Sequence, residues 1–61
     1  MKIRILEAAK QSYINDELIG TVQTITGEDD THYLFDAAIR LDKQVYHWNV
    51  RKEHAEIVEE D

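Results

Sequence analysis

Cysteine and proline are both absent from these 61 residues, and glycine occurs only twice. Without cysteine there is no disulfide framework and no thiolate metal site, so the usual staples of very small secreted folds are missing and a reducing compartment fits best. With no proline-rich linker, repeat or low-complexity tract, the chain reads as one domain spanning residues 1–61. Gly20 and Gly27 stand too far apart to form a phosphate-cradling loop. Long apolar runs are lacking too, and the longest falls far short of the roughly 20 residues that cross a bilayer. The opening Met1-Lys2-Ile3-Arg4-Ile5-Leu6-Glu7 acquires charge too early for a signal peptide, so no membrane partner and a cytoplasmic setting are expected.

Catalytic equipment is equally sparse. Ser12 is the single serine and no Gly-x-Ser-x-Gly elbow surrounds it. Carboxylates are plentiful, but acid–base work needs them to converge in a cleft that shifts their pKa values, and so short a chain has little room for one. The three histidines, His32, His47 and His54, form no His-Glu-x-x-His pair. His47 and His54 with Glu53 or Glu56 would make at most an opportunistic metal site, and ordinary surface histidines are the plainer reading. Glu28-Asp29-Asp30 lacks the spaced oxygen ligands and turn glycine of a calcium loop, which leaves a solvated hairpin tip. The expectation is a protein with no catalytic residues, no metal, no cofactor and no enzymatic activity.

What the chain has in excess is negative charge, −6 overall, and all of it falls in residues 28–61. The acids concentrate in Glu28, Asp29 and Asp30 and again in Glu53, Glu56, Glu59, Glu60 and Asp61. Phosphate backbones are attracted by clustered Lys and Arg, so direct nucleic-acid binding is disfavoured. An acidic surface can instead approach a basic protein groove, including one that ordinarily holds nucleic acid. Solubility alone is the plainer explanation of the same acids.

Periodicity favours strands. Lys2-Ile3-Arg4-Ile5 alternates polar and apolar, placing Ile3 and Ile5 on one face. Residues 9–17 read as a loop in which Ser12, Asn15 and Asp16 favour turns and Tyr13 and Ile14 pack inward. A helix over residues 6–11 is the competing reading of its start. Residues 18–26 are rich in β-branched side chains with Gly20 inside, which predicts a strand with a bend or bulge near Gly20, consistent with the opposite parity of Val22 and Ile25. Gly27 to Thr31 reads as a polar hairpin connection. Beyond it, Tyr33, Phe35, Ala37, Ile39 and Leu41 alternate onto one side, Asp42-Lys43 turns the chain, and Tyr46, Trp48 and Val50 alternate again, with Ala55 and Ile57 in a last strand. Leu34, Ala37, Ala38, Leu41, Val45 and Trp48 also fall at helical spacing, so an α+β fold with a helix in 31–50 is the alternative. Strand preferences in this region favour an all-β fold. Five short strands do best to curl into a small SH3-like barrel, with Arg51-Lys52-Glu53-His54 as a helical turn before the last strand.

The opening Met1–Ala8, Ser12-Tyr13, Leu18-Ile19-Gly20 and the closing Ala55-Glu56-Ile57-Val58-Glu59-Glu60 resemble small uncharacterised SH3-like barrel proteins of Gram-positive phages and prophages. The resemblance covers both ends of the chain and leaves residues 27–53 weakly constrained. Ile14 stands where an aromatic usually follows the tyrosine, and the segment before Trp48 is longer than usual. What the resemblance implies is an SH3-like fold and a phage setting, hence host-cell cytoplasm, and it raises the expectation of an accessory protein that acts by binding a host protein.

Aromatics supply the remaining candidates. Tyr46 and Trp48 are expected to face inward, while Trp48 outside beside Tyr13 would make an apolar patch rimmed by acids. The candidate protein-binding residues are Tyr13, Glu28, Asp29, Asp30, Tyr46, Trp48, Glu56, Glu59 and Glu60. The first functional reading is an acidic binding module that occupies a basic surface of a host or phage protein, in its sharpest form an inhibitor that mimics nucleic acid. The second is an assembly module whose sheet edges or aromatic patch join copies or larger phage proteins.

Overall fold

The computed structural model describes residues 1–12, 14–39 and 43–60, with Ser12 described by its backbone alone. Alternation dominates from the start. In β1, Lys2–Ile5, the two isoleucines are fully buried while Lys2 and Arg4 face solvent. The fold is all-β: five antiparallel strands form one sheet in the order β4-β3-β2-β1-β5, with β2 at Val22–Glu28, β3 at His32–Ala38, β4 at Val45–Arg51 and β5 at Ala55–Glu59. No α-helix occurs among the described residues, so the helical reading of residues 31–50 gives way to β3 and β4. Their register runs unbroken from His32 opposite Arg51 to Ala38 opposite Val45. Tyr33, Phe35 and Ala37 share one face with Val50, Trp48 and Tyr46, as the alternation predicts. The anticipated positions of Leu41 and Asp42 lie outside the described residues.

Two expectations for the first half need correction. Residues 7–12 form a 3-10 helix, Glu7–Ser12, which carries Ala9 into the core, and a second 3-10 turn, Asp16–Leu18, buries Leu18. Asn15 caps that turn, its side-chain oxygen accepting from the Glu17 amide at 2.8 Å. β2 therefore begins at Val22 rather than Leu18, and Gly20 sits in the connecting turn at φ +82°, a backbone conformation that costs side-chain-bearing residues dearly. The chain remains laced to β1 there, the Gly20 amide donating to the Ile5 carbonyl at 2.7 Å and the Ile5 amide to Thr21 at 2.9 Å. The irregularity expected near Gly20 lies instead between Ile25 and Gly27, where Thr26 is the extra residue against β3. Val22 has the parity opposite to Ile25 simply because it faces outward, 46% exposed, on a strand that alternates without interruption.

The bulge lets β2 serve two masters: its first half pairs with β1 and its second with β3. Ile3, Ile5, Ala9, Ile14, Leu18, Tyr33, Phe35 and Val50 make the core, with Met1, Ile19, Ile25, Ala37, Trp48 and Ala55 packed around it. A 3-10 turn, Lys52–His54, joins β4 to β5, as anticipated for the last connection. It is laced at both ends, the Lys52 amide donating to Thr31 at 2.8 Å and the Leu6 amide to the His54 carbonyl at 3.0 Å. The sheet thus ends in two edge strands, β4 and β5, joined through this turn. Glu7–Ser12 packs against β4. No helix among the described residues is long and apolar enough to cross a membrane.

The two glycines should respond differently to alanine. A Cβ at Gly20 meets nothing, so Gly20→Ala isolates the backbone strain and should cost about 1 kcal/mol. At Gly27 a Cβ would lie 3.7 Å from Leu34 Cδ1, an ordinary contact, and Gly27→Ala should stay within about 0.5 kcal/mol of neutral. Urea denaturation of the two variants measures the contrast, and equal losses would contradict the assigned turn.

Candidate protein-binding site

The β2–β3 hairpin is closed by its own aspartate. Asp29 Oδ1 accepts from the backbone amides of Thr31 at 2.8 Å and His32 at 2.7 Å and from the Thr31 hydroxyl at 3.3 Å, while the Asp29 amide donates to the His32 carbonyl at 3.0 Å. An aspartate satisfying two amides just ahead of it is a turn device, so Asp29 is built into the hairpin rather than held ready for a partner. The Thr31 amide, then the His32 amide, holds its carboxyl below the ordinary value.

Glu28 is likewise engaged. Lys52 Nζ donates to it at 2.7 Å while lying 5.3 Å from the centre of the Tyr33 ring, tying the turn before β5 to the hairpin. The hydrogen bond to Glu28 raises the Lys52 pKa above its ordinary value. On the far side of the sheet, Arg4 Nη1 donates to Glu56 at 2.6 Å and Lys2 Nζ approaches Glu59 at 3.6 Å. Arg51 Nε donates to Glu53 at 2.7 Å and depresses that carboxyl. Asp30 and Glu60 have no side-chain partner among the described residues.

Topology then brings distant residues together. Where β2 runs past the start of β1, a groove of about 460 Å³ opens, floored by Met1, Ile25, Thr26 and Gly27 and flanked by Glu28 and Glu60. One carboxylate from each acidic cluster named from the sequence, Glu28 and Glu60, therefore lines the same feature. Met1, Ile25 and Thr26, which supply its floor, were missed as site residues, because only the sheet order reveals that β2 outruns β1.

The aromatic candidates lie elsewhere. Trp48 is half-buried against the core and donates its indole N–H to the Ala37 carbonyl at 3.0 Å. Tyr46 meets it edge to face at 6.2 Å but remains exposed, on the β4 side of the sheet. Trp48 is thus core-facing as expected, while Tyr46 shares its face without its burial. Tyr13 and Asp61 lie outside the described residues. Asp36 and His47 pair on the opposite face of β3 and β4, beside Leu34 and Asn49. His54 Nε2 lies 3.9 Å from Glu53, but His47 pairs with Asp36 instead, and no group of three or more His, Cys, Asp or Glu that could hold a metal exists among the described residues.

Neither the family models, nor the curated proteins, nor the solved structures include a match to this chain. The site must be read from its own chemistry. No polar or charged side chain is buried among the described residues, and the resolved shifts hold Asp29, Glu53 and Lys52 in their charged forms.

These shifts set the pH response. Asp29 and Glu53 bind protons more weakly folded than unfolded, so their stabilisation is complete above the ordinary carboxylate pKa and fades as pH falls through the depressed values. Lys52 behaves oppositely: its contribution is complete below the ordinary lysine pKa and disappears as pH rises through the raised one. Thermal melts should therefore show a plateau across neutrality. Asp29→Ala should lower the midpoint at neutral pH by a few degrees and shrink the acid-side fall, and an unchanged acid limb would rule out the hairpin role.

Proposed function

We propose that this chain is a non-catalytic binding module that engages a basic surface of another protein, in the phage or prophage setting that the sequence resemblance implies. The observation that carries the reading is the groove in which the end of β2 and the residue after β5 set Glu28 and Glu60 beside a floor of Met1, Ile25, Thr26 and Gly27. Such a mixture suits a Lys or Arg side chain, whose apolar stem can lie on the floor while its charged head meets Glu60, Glu28 being already bound by Lys52. Asp30 and Glu60 add carboxylates that have no side-chain partner among the described residues. The surrounding field, at −6 overall, would steer a basic protein toward this end of the molecule.

Support for a non-catalytic role comes from the same electrostatics. General acids and bases are tuned toward neutrality by burial, whereas the shifted groups here, Asp29 and Glu53 exposed and Lys52 half-buried, are pushed further into their charged forms. Acting as an inhibitor that occupies a nucleic-acid-binding surface is the sharpest form of this reading.

Charge reversal tests it. In affinity capture from a Gram-positive host lysate, the native chain should retain basic, nucleic-acid-binding proteins that elute as salt is raised. The double variant Asp30→Lys/Glu60→Lys should bind the captured partner on the order of tenfold more weakly at low ionic strength, the gap closing toward and above about 0.15 M salt. Salt-insensitive capture, or equal affinity of the two proteins, would reject the reading.

A further inference from the structure

A strand that ends a sheet presents a row of backbone donors and acceptors to whatever can pair with it. This fold leaves two such edges, and they differ. β4 has Glu7–Ser12 packed against it. β5 pairs with β1 alone; the Ala55 amide donates to the Lys52 carbonyl where the strand begins, and no residue from Glu56 to Glu59 takes part in another backbone hydrogen bond among the described residues.

The side chains of β5 say what could lie beside it. Glu56 and Glu59 point outward, opposite Arg4 and Lys2 of β1, while Ala55 and Ile57 stand opposite the fully buried Ile5 and Ile3. Ile57 nevertheless remains 43% exposed. Val58, displaced at the irregularity in this pairing, is 40% exposed. The strand already accepted on the other side reads Lys2-Ile3-Arg4-Ile5, cations outward and apolar residues inward. A strand on the free side would meet the same two carboxylates, which it would share with Arg4 and Lys2, and the same apolar rim, so the same alternation suits it. Pairing with β5 of a second copy would instead set Glu56 and Glu59 against their own kind, and directly opposed like charges are destabilising.

We propose that the free edge of β5 receives an extended segment of the partner as a sixth strand, its side chains alternating between basic and apolar. This rests on the basic-partner reading above and adds to it a binding mode, strand addition, in which main-chain hydrogen bonds supply affinity and alternate side chains supply selectivity. Glu60, the residue after β5, also lines the groove with Met1 and Glu28.

The test uses the full chain, isotopically labelled, with blocked peptides of about six residues, the length of an ordinary strand. Three probes suffice: alternating lysine and valine, alternating glutamate and valine, and the lysine–valine peptide carrying N-methyl groups on alternate amides. The lysine–valine peptide should move the backbone resonances of Ala55–Glu59 and slow their hydrogen exchange. The N-methylated peptide, with equal charge but a broken ladder, should bind at least about tenfold more weakly, and the glutamate peptide should not bind. Glu56→Gln with Glu59→Gln should weaken the lysine–valine peptide while the resonance spectrum of the free variant shows that it stays folded.

Equal binding of the N-methylated peptide, or perturbations confined to the groove or to β4, would overturn strand addition while leaving the basic-partner reading intact. Absence of binding by any lysine peptide at millimolar concentration would overturn strand addition, and unchanged partner capture by the Asp30→Lys/Glu60→Lys variant would separately remove the reading beneath it.

Discussion

Phe35, Ile3, Ile5 and Val50 are almost completely sealed from water, and keeping them so is the constraint from which the rest of this fold follows. A chain this short buries only about 60% of its unfolded surface, so it has no reserve of apolar side chains beyond those that close the core. A flat five-stranded sheet would leave these four on an open face. The bulge at Thr26 bends β2, so that β1 and β3 pair with different halves of one strand, and the two 3-10 segments bring Ala9 and Leu18 over the remaining opening. The interior is thereby spent on packing. On the proposed reading, binding is left to the rim, where strands end out of step.

The alternation of β1, β3 and β4 was legible because each has one face toward the core and one toward water, the condition under which a period of two is written into sequence. The helical alternative drew on real spacing, but its stripe included Leu34 and Val45, which the structure exposes at 38% and 66%. Those two residues face outward from β3 and from the edge of β4, where sheet geometry tolerates an apolar side chain that a helix would have buried. Around Gly20 composition misled: the β-branched run of residues 18–26 is strand-like, yet Leu18 is needed in the core and a strand passing straight through would not place it there. The informative signals were local, Asn15 as a cap and Gly20 as the one residue comfortable at positive φ.

The candidate site was legible only as a composition. Two acidic clusters were evident, but whether their carboxylates were available depended on partners far away in the chain. Lys52 engages Glu28, Arg4 engages Glu56, and the hairpin amides engage Asp29, none of which periodicity reveals. Conversely, the meeting of Glu28 with Glu60 requires the order β3-β2-β1-β5, in which strands distant in sequence become neighbours. Residue type announces charge, whereas register decides which charges are spoken for.

Exposed ion pairs such as Arg4 with Glu56 contribute little to stability, since solvent screens them and long side chains lose entropy in forming them. The arrangement therefore needs a reason beyond folding. Acids along an open edge repel another acidic strand and so guard a small sheet against adding copies of itself, which is what solubility demands. The same field attracts a basic strand. On the proposed reading, protection from self-association and preference for a cationic partner are, at β5, one electrostatic property seen by two different neighbours, and the apolar rim at Ile57 would distinguish a strand that can pack from a cation that merely approaches.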